Sequence, residues 1–180
     1  MHPDIQEVLI SEEEIAGKVK ELAARITEDY RGEKVLMVGI IKGAVIFLSD
    51  LIRHIEVPVN IDFMAVSSYG KASRSSGVVK ILKDLDQSIE NRHVIVVEDI
   101  VDTGLTLKYM LDNLTTRKPA TLKTCTLLDK PSRRKVKVVP DYNGFTIPDK
   151  FVVGYGLDYA ENYRNLREIC VLKPEVYTKG

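Results

Sequence analysis

Apolar residues recur along this chain in two rhythms, one of helices and one of buried strands. Ile15, Val19, Leu22, Ala23 and Ile26 fall at steps of three and four, so they form one stripe on a helix. Ser11 and Glu14 have the spacing of a capping box and set its start, while Gly32 marks the stop. Val35 to Ile41 is a short unbroken apolar run, rich in branched residues and bounded by Gly43, which predicts a strand covered on both faces. A helix is expected over Ala44 to Ile55 and a strand over Val59 to Val66, followed by a polar loop, Ser67 to Gly77, of more than average length. Strands at Val78–Lys83 and His93–Val97, a helix at Gly104–Leu114, and strands at Leu122–Leu128, Val136–Val139, Phe151–Val153 and Ile169–Leu172 complete the series. Buried strands alternating with helices give an α/β fold with a mostly parallel sheet. The late strands lack intervening helices, which leaves an antiparallel edge or a small separate lobe open.

Composition adds few constraints. A chain of 180 residues, 44% apolar, is long enough for one domain with a full core. Lys plus Arg and Asp plus Glu number 26 each, so overall charge points neither to nucleic acid nor to a membrane surface. No apolar stretch is long enough to span a bilayer, and the start of the chain does not read as a targeting segment. Cys125 and Cys170 sit in apolar runs and read as buried free thiols of a reducing compartment, and the expected location is the cytoplasm.

The chemistry concentrates after the strand at His93–Val97. Ligands of open parallel sheets bind beyond the carboxyl ends of the strands. Here Glu98, Asp99 and Asp102 supply three carboxylates, and Thr103-Gly104-Leu105-Thr106 opens a helix whose free N–H groups attract a phosphate. Taken singly, Asp102 or Thr103 reads equally well as a helix cap, and Glu98 and Asp99 as solvated turn residues. Together they point to a site for a sugar or metal beside a phosphate.

Glu98 to Thr106 closely resembles the PRPP signature of the type I phosphoribosyltransferases. With the C-terminal segment Ile147-Pro148-Asp149-Lys150-Phe151-Val152-Val153-Gly154-Tyr155, the chain most resembles the hypoxanthine-guanine phosphoribosyltransferases, from Ile41-Lys42-Gly43 to Arg164. The resemblance implies a type I phosphoribosyltransferase fold: a mostly parallel twisted sheet flanked by helices, with a small hood lobe from the chain ends. It implies one domain over 1–180, with a core of roughly 30–140 and a hood from the N-terminal segment and roughly 145–180. The implied reaction transfers the phosphoribosyl group of PRPP to hypoxanthine or guanine, with magnesium as cofactor.

Residue roles follow from the same resemblance. Glu98 and Asp99 would hold the ribose hydroxyls, directly or through magnesium, and Asp158 would be a further magnesium ligand. Asp102 would be the acid/base at purine N7. Thr103, Gly104, Leu105 and Thr106 would wrap the 5′-phosphate, Leu105 through its backbone because it stands where some relatives carry Lys. Lys42 and Gly43 would contact pyrophosphate, often through a cis peptide before the Lys, and Arg164 would reach the same group. Lys130 would bond the exocyclic oxygen of a 6-oxopurine, Phe151 would stack on the base, and the Val152 backbone would meet its Watson–Crick edge. Ser68 and Tyr69 would belong to a lid.

Without the resemblance, Lys42 and Lys130 read as surface lysines, Arg164 as one half of a surface ion pair, Phe151 as core and the Ser67–Gly77 segment as a surface loop. The basic run Pro131-Ser132-Arg133-Arg134-Lys135 reads as a solvated charge run with no catalytic role. Two other functions share the fold: a PRPP-sensing regulator that binds nucleic acid, and a phosphoribosyltransferase that prefers xanthine. Retention of Asp102, Lys130, Phe151 and Asp158, with zero net charge, favours the enzyme and disfavours a nucleic-acid partner. The expected partners are PRPP, a 6-oxopurine and further copies of the chain, as a homodimer or homotetramer; no membrane partner is expected.

Overall fold

A computed structural model describes residues 1–68 and 79–178. Six strands form the main sheet: β2 (Val35–Ile40), β3 (Val59–Ser68), β4 (Val79–Lys83), β5 (His93–Val101), β6 (Thr121–Asp129) and β7 (Tyr142–Thr146), in the order β4-β3-β2-β5-β6-β7. All neighbours pair in parallel except β3 with the edge strand β4. Alternation along β2 serves both faces. Val35 and Met37 join the core beneath α1 (Glu12–Asp29) and α2 (Val45–Ile52), while Leu36, Val38 and Ile40 join the core beneath α3 (Leu105–Thr115). The α1 stripe is buried as expected, and the Ser11–Glu14 capping box is formed in both directions.

The remaining strands, β1 (Ile5–Ile10), β8 (Val152–Val153) and β9 (Ile169–Leu172), form a separate antiparallel sheet in the order β1-β9-β8. The sheet unites the two ends of the chain, and a short helix, α4 (Pro174–Tyr177), follows it. Both cysteines are buried and free. No described helix is long and apolar enough to cross a membrane.

Five local expectations need correction. Val136–Val139 is not a strand: Val136 and Val138 pack close against Gly104 at the start of α3, while Val139 is exposed. The expected helix to Ile55 ends at Ile52. Tyr142–Thr146 is a strand, the sixth of the sheet, and so is Ile5–Ile10. Finally, β5 continues through Val101, because the ladder with β6 runs on to the pair Val101–Asp129. Glu98 and Asp99 therefore stand on the last turns of a strand and not in a loop.

This topology fixes where a ligand can sit. From β2 the chain crosses to β3 on one side, and β5 lies on the other, so the strand order reverses between β2 and β5. A crevice opens there, beyond the carboxyl ends of both strands. The turn Ile41-Lys42-Gly43 leaves β2 at this point, and Asp99 stands beside it near the end of β5.

Candidate active site

The turn after β2 and the Asp99 carboxylate of β5 are in direct contact. A Cβ on Gly43 would lie 1.9 Å from Asp99 Oδ2, so only glycine leaves room for that carboxylate. On its other side the Gly43 carbonyl meets Gly156, whose own Cβ would stand 2.3 Å from it. The Ile41–Lys42 peptide bond is cis. Lys42 Nζ reaches 2.9 Å to Glu161 across the crevice.

Packing around Glu98 and Asp99 disfavours their charge, although neither is fully sealed from the crevice. Burial, and then the charge of Asp99, push the Glu98 carboxyl well above the ordinary carboxylate range. Burial likewise raises Asp99 to about 6, against the opposing hydrogen bond from Ile100 N–H. A folded-state value above the unfolded one means the group costs nothing at a pH where both forms are protonated. The cost grows as pH rises from about 4 to about 6 and is complete above that. In metal-free, ligand-free protein, Asp99→Asn is therefore expected to raise stability at pH 7.5 by roughly 1–3 kcal/mol. Urea unfolding checks this, and the gain over wild type should vanish near pH 4.

Asp158 and Arg164 stand on the turn after β8. Arg164 donates to the Gly156 carbonyl at 2.7 Å, and its Nη2 lies 3.3 Å from Asp158 Oδ1 and 3.2 Å from Glu161 Oε1. Arg164 Nε is buried without a hydrogen-bond partner among the described residues. Asp158 and Arg164 both act electrostatically on Asp99, so the three groups share one field. Glu98, Asp99 and Asp158 do not converge on a single point, and no cluster of three or more such ligands exists among the described residues. The arrangement suits magnesium, which takes one or two carboxylates and completes its shell with substrate oxygens and water. Two adjacent carboxylates whose charge is disfavoured by burial also gain from a cation.

The helix α3 begins at Gly104 in the left-handed conformation (φ 82°), where a side chain would also meet the Arg134 stem. Its first backbone bond runs from Lys108 N–H to the Gly104 carbonyl, so the N–H groups of the first turn are free of helical partners. Thr103 Oγ1 makes only a long contact of 3.4 Å to Leu105 N–H. Neither Asp102 nor Thr103 is the helix cap, and Thr103 to Thr106 form one cradle at the positive end of the helix.

Asp102 lies between that cradle and a cleft of about 450 Å³ lined by Ile100, Lys130, Asp149, Phe151, Val152 and Tyr177, among others. Lys130 is buried, with Nζ 3.7 Å from Asp149. Phe151 is half-exposed; its ring stacks on Tyr177 at 4.6 Å and meets the edge of Tyr159. Ser68 is the last residue of β3, and Tyr69 lies outside the described residues. A second cleft of about 350 Å³, beside α1 and α2, is lined by Ile15, Ile46, Asp50 and Tyr155 and contains none of the expected site residues.

The basic run is mostly exposed, as expected, but Arg134 turns inward and the segment is tied to the signature loop. Lys130 N–H, Arg134 Nη1 and Lys135 N–H donate to the carbonyls of Val101, Asp102 and Thr103 in succession, stapling this segment to the signature loop. Arg134 is largely buried and pairs with the buried Asp129. Arg133 Nε stands 2.7 Å from Asp102 Oδ1, out of line for a hydrogen bond, and its Nη1 is 3.5 Å from Asp149. The residue spacing carries no mark of the bonds to Val101, Asp102 and Thr103, because these lie about thirty residues earlier, at the end of the neighbouring strand. Arg134→Met is expected to cost about 2–4 kcal/mol by leaving Asp129 charged and unpaired. Denaturant unfolding measures it, and a loss under 1 kcal/mol would contradict the assigned pairing.

Comparison with known proteins gives one consistent result. The model of the phosphoribosyl transferase domain matches residues 7–160. The chain is 56% identical over 177 residues to the hypoxanthine-guanine phosphoribosyltransferase of Bacillus subtilis (strain 168), covering 98% of both chains. It is 53% identical over 179 residues to that of Streptococcus pyogenes, covering 99% of both. Among solved structures, a hypoxanthine phosphoribosyltransferase from Staphylococcus aureus superposes with a TM-score of 0.95 at 54% identity, covering 98% of this chain and 96% of that one.

Proposed function

We propose, for a chain that belongs to the hypoxanthine-guanine phosphoribosyltransferase family, that it is a cytoplasmic purine-salvage enzyme. It transfers the phosphoribosyl group of PRPP to hypoxanthine or guanine, giving a nucleoside 5′-monophosphate and pyrophosphate. The observation that carries this reading is the position of Asp102, two residues before the N-cap of α3 and on the wall of a cleft that it lines with Lys130, Phe151 and Val152.

In this reading the 5′-phosphate lies against the N–H groups and hydroxyls of Thr103 to Thr106. Glu98 and Asp99 accept the ribose hydroxyls. Magnesium, when bound, neutralises charge on the pyrophosphate group; Asp158, Glu98 and Asp99 are the residues that would hold it. Lys42, the Gly43 backbone and Arg164 take the leaving pyrophosphate. The base packs on Phe151, Lys130 donates to its exocyclic oxygen, and the Val152 backbone meets its pairing edge. Asp102 accepts the N7 proton as the bond to the ribose forms, which raises the nucleophilicity of the base.

A panel of bases tests the assignment. With PRPP and magnesium, hypoxanthine or guanine should give nucleotide at least about 100-fold faster than adenine, whose amino group leaves the Lys130 ammonium unpaired. Equal turnover of adenine would remove Lys130 from base selection, and xanthine as the preferred base would relocate the specificity. Self-association as a dimer or tetramer belongs to the same reading, and light scattering gives the number.

A further inference from the structure

One acidic residue contacts both side-chain cations assigned above to pyrophosphate. Glu161 Oε2 accepts a hydrogen bond from Lys42 Nζ at 2.9 Å, and its Oε1 accepts one from Arg164 Nη2 at 3.2 Å. The two cations come from opposite walls of the crevice, Lys42 from the turn after β2 and Arg164 from the turn after β8. A single carboxylate thus bridges the ends of the expected pyrophosphate position.

The backbone holds it there. Ala160, Glu161 and Tyr163 all have positive φ (50°, 65° and 74°), a conformation that side chains other than glycine rarely adopt. Glu161 N–H donates to Asp158 Oδ2 at 2.9 Å, and Tyr159 and Asn162 close the turn with a pair of backbone bonds. A glutamate with no role beyond solvation needs no such turn. Glu161 and Lys42 are both about two-thirds exposed, so the pair can part without burying either charge.

We propose that Glu161 is an internal counter-anion of the pyrophosphate site, pairing with Lys42 and, together with Asp158, with Arg164 while the site is empty, and surrendering both cations when pyrophosphate arrives. The inference rests on the assignment of Lys42 and Arg164 made above. Each binding event exchanges two ion pairs for contacts to the ligand, so Glu161 lowers pyrophosphate affinity and speeds its release. An acidic residue in the site then acts against binding, opposite to the carboxylates that hold ribose.

Titration calorimetry with inorganic pyrophosphate, in buffer containing magnesium, tests this. Glu161→Gln keeps the size of the side chain and is expected to tighten pyrophosphate roughly threefold to tenfold, the range open to exposed ion pairs. In a Lys42→Met background the gain from Glu161→Gln should shrink, because half of the exchange is gone. Unchanged or weaker pyrophosphate binding by Glu161→Gln would overturn the inference while leaving the site assignment intact. Failure of the wild type to bind pyrophosphate, or undiminished binding by Lys42→Met, would sink the assignment and the inference together.

Discussion

Replacing Asp102 by Asn is expected to lower kcat with hypoxanthine by roughly 10²- to 10⁴-fold, the usual contribution of a positioned acid or base. Asn preserves the shape of the side chain but cannot take the N7 proton. The loop that carries it is held mainly through backbone: the Val101, Asp102 and Thr103 carbonyls accept from the Lys130–Lys135 segment, and none of these bonds uses the Asp102 side chain. The 5′-phosphate cradle should therefore survive, with PRPP affinity within a few-fold of wild type and little change in stability. Arg133 would lose its charge partner at 2.7 Å but retain Asp149. Turnover within threefold of wild type would show that the proton leaves the base by another route.

Gly156→Ala is expected to be damaging through geometry alone. The residue has φ of 99°, where an L side chain is strained, and its Cβ would stand 2.3 Å from the backbone oxygen of Gly43. Neither atom belongs to a flexible side chain, so one of the two turns must move. The Gly43 turn is itself pressed against Asp99, which leaves it no slack. The expected cost is about 3 kcal/mol or more in urea unfolding, from strain and overpacking together. What remains folded should bind pyrophosphate poorly, because the Lys42 turn and the Arg164 turn can no longer close on each other. A stability within 1 kcal/mol of wild type would mean that the two turns do not meet as described.

The elements legible in the sequence are those whose partners are local or whose pattern is strong. The α1 stripe, its capping box and the branched run of β2 announce themselves within a few residues. The strand β1 does not, because it becomes a strand only by pairing with β9, more than 150 residues later. Nor does β7, where Gly144 interrupts the apolar pattern and the ladder with β6 supplies the order. Val136–Val139 misleads in the opposite sense: Val136 and Val138 cover Gly104 and no strand partner exists for the segment among the described residues.

The site divides along the same line. The signature from Glu98 to Thr106 is contiguous and reads directly, although the strand extends further into it than apolar periodicity implies. Gly156 and Glu161 owe their place to contacts made across the crevice, and Arg133 and Arg134 to contacts with the neighbouring signature loop, where sequence spacing is silent. A Gly-Tyr-Gly triplet at 154–156 and a charged pair in a strand-to-strand connection are the only local signs of them.

The central claim is that one crevice joins PRPP to a 6-oxopurine. The most direct measurement follows purified protein with PRPP, magnesium and hypoxanthine, quantifying inosine 5′-monophosphate and pyrophosphate as the base disappears. Both products are expected to form together, one of each per hypoxanthine consumed, and neither when PRPP is omitted. No nucleotide from hypoxanthine or from any other 6-oxopurine, with the protein folded and PRPP intact, would contradict it.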